Sequence, residues 1–510
     1  MMIIDPVALG DVACTRASTA TYFDRYGVLQ TAPVNTLRVT YDPRDLTKAP
    51  YALVEPAATN LIPRSEDTIA YTSSGGGTAT APGLFGFANS IQFSGDGVTK
   101  WAYRGFATVP GTQYTFSIFV AMDDGGMPVV GTAATLGDFM LVMQGDACTS
   151  PVTVTPYETG VCRVSFTFTA TSGGANYGIA KYSTQSSRGF RATGWQLETG
   201  AVMTSYIRTL GDASVTRAAD VIASGAGLVY SNVLITETAY SSTATYAQNA
   251  IVYDPVTYLK YQSLTANNTG KALTDTTAWT PLLNVVNRWL MFDQYNNTQT
   301  SNAEEIIVVL TPKALAQGVY IGNADASEVR ISCYDPTEGV VYRENQNLII
   351  SDSGSSFYNW CFKRIRKKSY AVSVSLPPYS GALVTITLKK PGGTAKCGMC
   401  VVGPLVDIGL SQYGLSREIK DYSTVNFNFD GTSNVVKRNF AKIMDVDVVV
   451  DNDYVDSIIE SLEGYRQKPV AWIGTAAYGS ACLYGTYTSF KNVIQYPTQS
   501  VMNLQIQGTV

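Results

Sequence analysis

The residues of this chain best suited to chemistry are aromatic rings, two closely spaced cysteines, neighbouring carboxylates and one basic run; histidine is absent. Without imidazole there is no Ser-His-Asp or Cys-His nucleophile, no His-ligated zinc or haem, and no ordinary charge switch near neutral pH. Acid–base work would fall to carboxylate pairs, or to Lys and Tyr. Asp123-Asp124 and Glu304-Glu305 are adjacent in sequence, whereas glycoside hydrolysis needs two carboxyls ~5–9 Å apart across a cleft. Adjacent acids read as solvated loop residues, so no catalytic residue is assigned and no enzyme activity is expected. Cys397 and Cys400 have metal-ligand spacing, but no His and no second Cys pair completes a zinc site, and positions i and i+3 of a strand face opposite ways. They read as ordinary cysteines, which leaves no metal and no cofactor to expect.

Aromatic side chains offer a different chemistry. A pyranose ring packs its C–H groups on Tyr or Trp while polar side chains meet its hydroxyls. Tyr246, Tyr253, Tyr258, Tyr261 and Trp279 crowd into residues 240–282. So many rings exceed so small a core, so some must be exposed or meet a neighbouring chain. Trp101 and Tyr103 follow the Ser94-Gly-Asp-Gly97 turn on one strand face, a second candidate platform, although burial in a sandwich core explains the same alternation. Trp195 and Leu197 alternate with Gln196 and Glu198, as on a strand with one buried face. Arg217 and Glu198 read as a structural tie between the N-terminal segment and that strand. Lys363-Arg-Ile-Arg-Lys-Lys368 could meet phosphorylated surface polymer or an acidic neighbour; a solvated strand edge is the simpler reading.

These residues must be positioned by strands. Of 510 residues only 15% are charged, against ~25% in typical domains, while Tyr (32) and Gly (44) are plentiful. The 36 basic and 40 acidic residues give a net charge of -4, so no nucleic-acid footprint is expected. Eight cysteines are too sparse for a disulfide scaffold and suit a reducing cytoplasm. The opening MMIIDPVALG lacks the pattern of a secretory signal, and no stretch approaches ~20 apolar residues, so no membrane insertion is expected. Tyr114-Thr-Phe116-Ser-Ile118 and Val164-Ser-Phe166-Thr-Phe168 alternate at period two between Gly- and Ser-rich loops, the pattern of a sandwich or jelly roll. The expected fold is mostly β and multidomain: a strand arm at 1–60, a jelly roll at 61–220, a small module at 232–284, a second β-sandwich at 285–410 and a β-rich domain at 411–510. The last carries the one main helix, near 454–465, with Val455, Ile458, Ile459 and Leu462 at helical spacing and Asp451 or Asp453 as its cap.

Several stretches resemble a family of bacteriophage and prophage tail proteins. They are Thr15-Arg-Ala-Ser-Thr-Ala-Thr-Tyr22, Leu53-Val-Glu-Pro-Ala-Ala-Thr-Asn-Leu61, Arg64-Ser-Glu-Asp67, Gly194-Trp-Gln-Leu-Glu-Thr-Gly200, Thr204-Ser-Tyr-Ile207 and Val215-Thr-Arg-Ala-Ala-Asp220. Residues 240–282 resemble a small chitin-binding-type module, with Ala250 where a turn Gly is usual. Asn287-Arg-Trp-Leu-Met-Phe-Asp293, Tyr413-Gly-Leu-Ser, Ile419-Lys-Asp-Tyr-Ser423 and Pro469-Val-Ala-Trp-Ile-Gly474 look like C-terminal regions of phage tail proteins.

The resemblance implies a virion protein of the tail (fibre, baseplate or receptor-binding part), made in the bacterial host cytoplasm. It implies carbohydrate-binding jelly-roll modules, with host cell-surface glycan and other virion tail proteins as partners. It further implies a homo-oligomer, with a trimer as the first expectation. A purely structural virion role, in which the β modules meet only protein, remains open at this point, as does the weaker case of a polysaccharide-degrading hydrolase.

Overall fold

The computed structural model describes the chain except residues 8, 67–71, 75–78, 85, 133–135, 144–145, 148–151, 172, 174, 351–365, 428, 495 and 510. It is mostly β and multidomain, as the alternation requires. Two compact units emerge, one of residues 13–224 and one of residues 1–12 with 225–510. The segment read as a separate arm at 1–60 is thus divided: residues 1–12 pair with distant strands, and the rest joins the jelly roll.

In the 13–224 unit, one six-stranded sheet runs in the order Thr153–Pro156, Val161–Thr169, Gln113–Met122, Phe190–Thr199, Asn89–Phe93, Ala79–Pro82. A second contains Val130–Gly131, Phe139–Met143, Ala175–Lys181, Lys100–Phe106 and Thr72–Ser74, with Asp146–Ala147 beside Phe139–Met143. Period-two side chains fill one core: Tyr114, Phe116, Ile118 and Val120 meet Val164, Phe166, Trp195 and Leu197 from the first sheet and Ala102, Leu141 and Ile179 from the second. The Gly194-Trp195 pair has a specific geometric task. Two residues there oppose Ile118 alone, since Ser117 pairs with Gln196 but Phe119 with Thr193. Gly194 takes the left-handed φ of 68° that such a bulge favours, and a Cβ on it would lie 2.7 Å from the rings of both Phe119 and Phe87. Trp195 is fully buried, but so are Gln196 and Glu198, so this strand is covered on both faces and not on one.

Four stretches of this unit, residues 15–22, 53–61, 204–207 and 215–220, supply residues to a buried polar network. Asp220 accepts from Arg16 Nη1 at 2.7 Å and from Arg38 Nη2 at 2.5 Å, all three side chains being fully buried. Glu55 Oε2 lies 2.9 Å from both Arg38 Nη1 and Arg217 Nη1. The partner of Arg217 is therefore Glu55, not Glu198; Glu198 instead accepts from Thr204 N and Thr204 Oγ1. Spare guanidinium donors end on the carbonyls of Ser18, Thr36, Pro33, Thr21 and Pro56, which is how buried cations avoid an unpaired charge. Arg38 Nε and Arg217 Nε keep no partner among the described residues, whereas Asn60 is saturated: its amide donates to Trp195 O and Ile207 O while its oxygen accepts from Ile62 N and Leu197 N.

In the other unit, an eight-stranded sheet places Met2–Ile4 between Leu405–Asp407 and Val470–Ile473, then continues through Cys482–Ile494, Gln499–Gly508, Phe440–Asp451 and Leu410–Ser411, with Ser416–Asp421 also on Phe440–Asp451. Among the described residues its one α-helix, Val455–Gly464, packs Val455 and Leu462 against one face. Asp451 caps the preceding turn by accepting from Asp453 N. Against the other face lies a three-stranded sheet of Ala371–Ser373, Gly318–Gly322 and Met399–Gly403. That sheet shares a large core with a five-stranded one: Gly227–Ser231, Thr300–Thr311, Leu383–Cys397, Glu328–Asp335 and Gly339–Asn347. The small module is a four-stranded sheet of Thr238–Ala239, Ile251–Tyr253, Leu259–Ser263 and Trp279–Val285, plus the Thr245–Tyr246/Asn268–Thr269 pair.

Candidate functional site

The five aromatics singled out in the small module do not act together. Trp279 is 1% exposed, donates its indole N–H to Lys271 O at 3.0 Å, and meets Tyr246 edge-on at 5.3 Å. Tyr246, buried too, accepts from Ser241 N and donates to Ser241 O. Together with Val252 and Ala278 these two form the module's own core, and half-buried Tyr261 packs on it. As core members, Trp279 and Tyr246 are withdrawn from sugar contact. Tyr253 and Tyr258 instead pack against the neighbouring sandwich core.

Of the five, Tyr258 lines a cleft. It ends the turn Asp254-Pro-Val-Thr-Tyr258, in which Tyr258 N donates to Asp254 O and Asp254 accepts from Val256 N and Thr257 Oγ1. Tyr258 has a φ of 59°, a left-handed conformation that is uncommon for a bulky residue and is held by its surroundings. Its ring stacks on Trp289, centroids 4.3 Å apart and planes within 17°. Its hydroxyl donates to Asp11 Oδ2 at 2.9 Å. Burial and then the Asp11 carboxylate push the phenol up to about 12, so it stays a neutral donor.

Trp289 and Phe292 come from the 3₁₀ turn Asn287–Phe292. Residues i and i+3 eclipse on such a helix, which brings the rings to 5.6 Å in an edge contact. The cleft, of about 580 Å³, is lined by these three rings, Tyr484, Asp293 and Lys468, by Pro6, Val7, Leu9 and Gly10, and by residues 399–402. Lys468 is held 2.6 Å from Asp5. Asp293 is half-buried; desolvation raises its carboxyl pKa despite donations from Tyr295 N and Thr298 Oγ1. Trp289, itself 5% exposed, leaves its indole N–H buried with no hydrogen-bond partner among the described residues. An aromatic floor with one polar edge suits a hydroxyl-bearing ligand with apolar faces.

The other expectations resolve as follows. Trp101 and Tyr103 are half-buried, their rings 6.3 Å apart, on the sheet face opposite Ala102, so Ala102 and not the rings enters the core. Asp124 is clamped by Arg188 and Asp123 accepts from Gln92. Glu304 accepts from Gly392 N. Cys397 and Cys400 are buried, with desolvation raising both thiols, and no cluster able to hold a metal occurs among the described residues. Of the basic run, Lys363 to Ile365 lie outside the described residues, while Arg366 and Lys367 are exposed beside Ile349–Ile350. No helix is long and apolar enough to cross a membrane among the described residues.

The sequence reading placed no site role on Trp289, Phe292, Asp293 or Tyr484. Trp289 and Phe292 carry a local signal, their i,i+3 spacing. Tyr484 and Asp11 join only through the fold.

No family model and no curated protein matches this chain. Among solved structures, the N-terminal CBM22-1-CBM22-2 tandem domain of Paenibacillus barcinonensis Xyn10C is similar over 69% of this chain and 99% of its own length, at 8% identity and a TM-score of 0.20. A GH78 family rhamnosidase of Bacillus sp. GL1 is similar over 80% of this chain and 36% of its own, at 9% identity and a TM-score of 0.18. Likeness this loose transfers neither a ligand nor an activity.

Proposed function

We propose that this chain is a bacteriophage tail component that attaches to host cell-surface glycan through the cleft of the 225–510 unit. The carrying observation is the Tyr258–Trp289 stack at 4.3 Å, fixed by the Tyr258–Asp11 hydrogen bond. Such a platform is built before any ligand arrives, so little ordering cost is paid on binding. The tail assignment is supported by the sequence resemblance and by the modular β architecture. Asp293 is the one carboxylate among the described residues lining the cleft, so binding suits it better than two-carboxylate hydrolysis. The test is saturable binding of the purified chain to host cells and isolated surface polysaccharide. Competition by free sugar, and its loss in Tyr258→Ala with an unchanged melting profile, is the expected result. A folded oligomer that binds no glycan overturns the reading.

One observation favours an assembly role beside attachment. The two-stranded ribbon Thr424–Phe427/Ser433–Val436 pairs with no other described strand, and Phe427, Phe429 and Val435 are 78%, 111% and 59% exposed. An isolated ribbon is marginal in water. Two phenylalanines at roughly 150–250 Å² each, with Val425, Val436 and Phe440, make a substantial share of the ~800 Å² per partner of a stable interface. A second copy of this chain is the partner assigned to it, consistent with the expected homo-oligomer.

A further inference from the structure

The aromatic cleft does not stand alone. A second depression, of about 370 Å³, shares Asp293 and Gln294 with it and adds Tyr295, Thr486, Gln507 and Thr509. A third, of about 230 Å³, shares Thr509 and is lined by Asn296, Asn297, Asn323 and Asn439, with Phe440 and Lys442. The single stretch Asp293-Gln-Tyr-Asn-Asn297 contributes to all three.

The strands explain why the depressions adjoin. Tyr484 and Thr486 are two apart on one strand and share a face. Gln507 sits opposite Thr486 in the ladder, and Thr509 follows Gln507 by two. The face that carries Tyr484 beside the cleft thus continues outward as hydroxyls and amides. Thr509 also has a buried hydroxyl without a partner among the described residues. Away from the cleft, Lys442 supplies the one charged side chain beyond Asp293, and burial lowers its pKa.

We infer that these three depressions form one groove that takes an extended, neutral oligosaccharide, with one sugar on the Tyr258–Trp289 platform and further units along Asp293–Asn297 toward Asn439. This rests on the glycan-binding reading of the cleft and goes beyond it in naming chain length and charge. Side-chain amides donate and accept at once, which matches sugar hydroxyls better than carboxylates or phosphates. An acidic polymer would instead meet Asp293 at the junction of the first two depressions, and of the two lysines along the groove Lys468 is already paired with Asp5, which leaves Lys442 at the far end, so it is disfavoured.

The experiment is calorimetric titration of the full chain with two size-graded ladders of one to six units. One is neutral (fragments of host O-polysaccharide and chito-oligosaccharides), the other is of uronic acid residues. Affinity should rise at least about ten-fold from two to five neutral units, since each hydrogen bond adds roughly five-fold. Gln507→Ala and Thr509→Val should narrow the ratio between long and short fragments, with melting profiles checked for each. Equal affinity for two and five units, or preference for the acidic ladder, overturns the groove while leaving the cleft reading intact. Binding of no fragment by the folded protein overturns both.

Discussion

The Tyr258 hydroxyl reaches Asp11 Oδ2 across 247 positions of sequence, and that one bond fixes the outer edge of the aromatic platform. Tyr258→Phe and Asp11→Ala should therefore weaken glycan binding to a similar extent, about three- to ten-fold. Their effects should fail to add in a double-mutant cycle, with a coupling of about 1 kcal/mol. Titration of the four proteins against one surface polysaccharide checks this. Full additivity removes the bond from the platform.

Asp220 is shared by two fully buried guanidinium groups. Asp220→Ala leaves Arg16 and Arg38 short of their shared anion and should cost about 3–5 kcal/mol. Urea unfolding, followed by a probe in the 13–224 unit, measures it. A loss under ~1 kcal/mol would mean that the backbone carbonyls alone satisfy both arginines.

Glu55 gives the same network an acid limit. Burial raises its carboxyl pKa, but Arg217, Arg38 and Ser205 outweigh that, and the net shift is downward. A carboxylate whose folded pKa lies below the unfolded value of about 4.3 contributes stability fully above that value. The contribution is lost as pH falls through the folded pKa. Wild type should lose stability over this acid range, and Glu55→Gln should start lower and show a flatter slope. Melting curves between pH 7 and pH 3 decide; parallel slopes contradict the assignment.

Gly194→Ala places a methyl 2.7 Å from two aromatic rings at a φ of 68°. Left-handed backbone costs about 1–2 kcal/mol and overpacking about 1–3 kcal/mol more. The expected outcome is a destabilisation of several kcal/mol in chemical denaturation, well above an ordinary surface Gly→Ala change.

For the exposed ribbon, Phe427→Ser with Phe429→Ser should shift the oligomer toward smaller species in light scattering, with circular dichroism unchanged. An unaltered mass places the subunit contact elsewhere.

Much of the fold is legible in sequence because period two survives translation into structure: Phe116, Ile118, Val164 and Phe166 alternate in the text and in the core. The helix is legible through Val455 and Leu462, whereas the expected Asp451 cap serves the 3₁₀ turn before it and the helix's own N-cap, Tyr454, makes no side-chain cap bond. The site is less so. Counting rings identified an excess in the small module but could not sort Trp279, which its own module buries, from Tyr258, which the neighbouring sandwich captures. Trp289, Tyr484 and Asp11 meet Tyr258 or its cleft only through long-range pairing, which no local pattern encodes. Arg217 was matched to Glu198 because both stand near one strand; Glu55 arrives from 162 positions upstream, on a segment whose placement sequence alone does not reveal.

The Met2–Ile4 strand is hydrogen-bonded on one side to Val470–Ile473, so this partner is made long after it. At ~5–20 residues per second, roughly 25–90 seconds separate the two on the ribosome. During that interval the 13–224 unit has all its own strands and can close, while Ile3 and Ile4, fully buried in the finished sheet, are still without their cover. The order of synthesis thus imposes an order of folding, the inserted unit first and its host second. Slowing elongation late in the chain should lengthen the protease sensitivity of the 1–12 segment and leave that of the 13–224 unit unaltered.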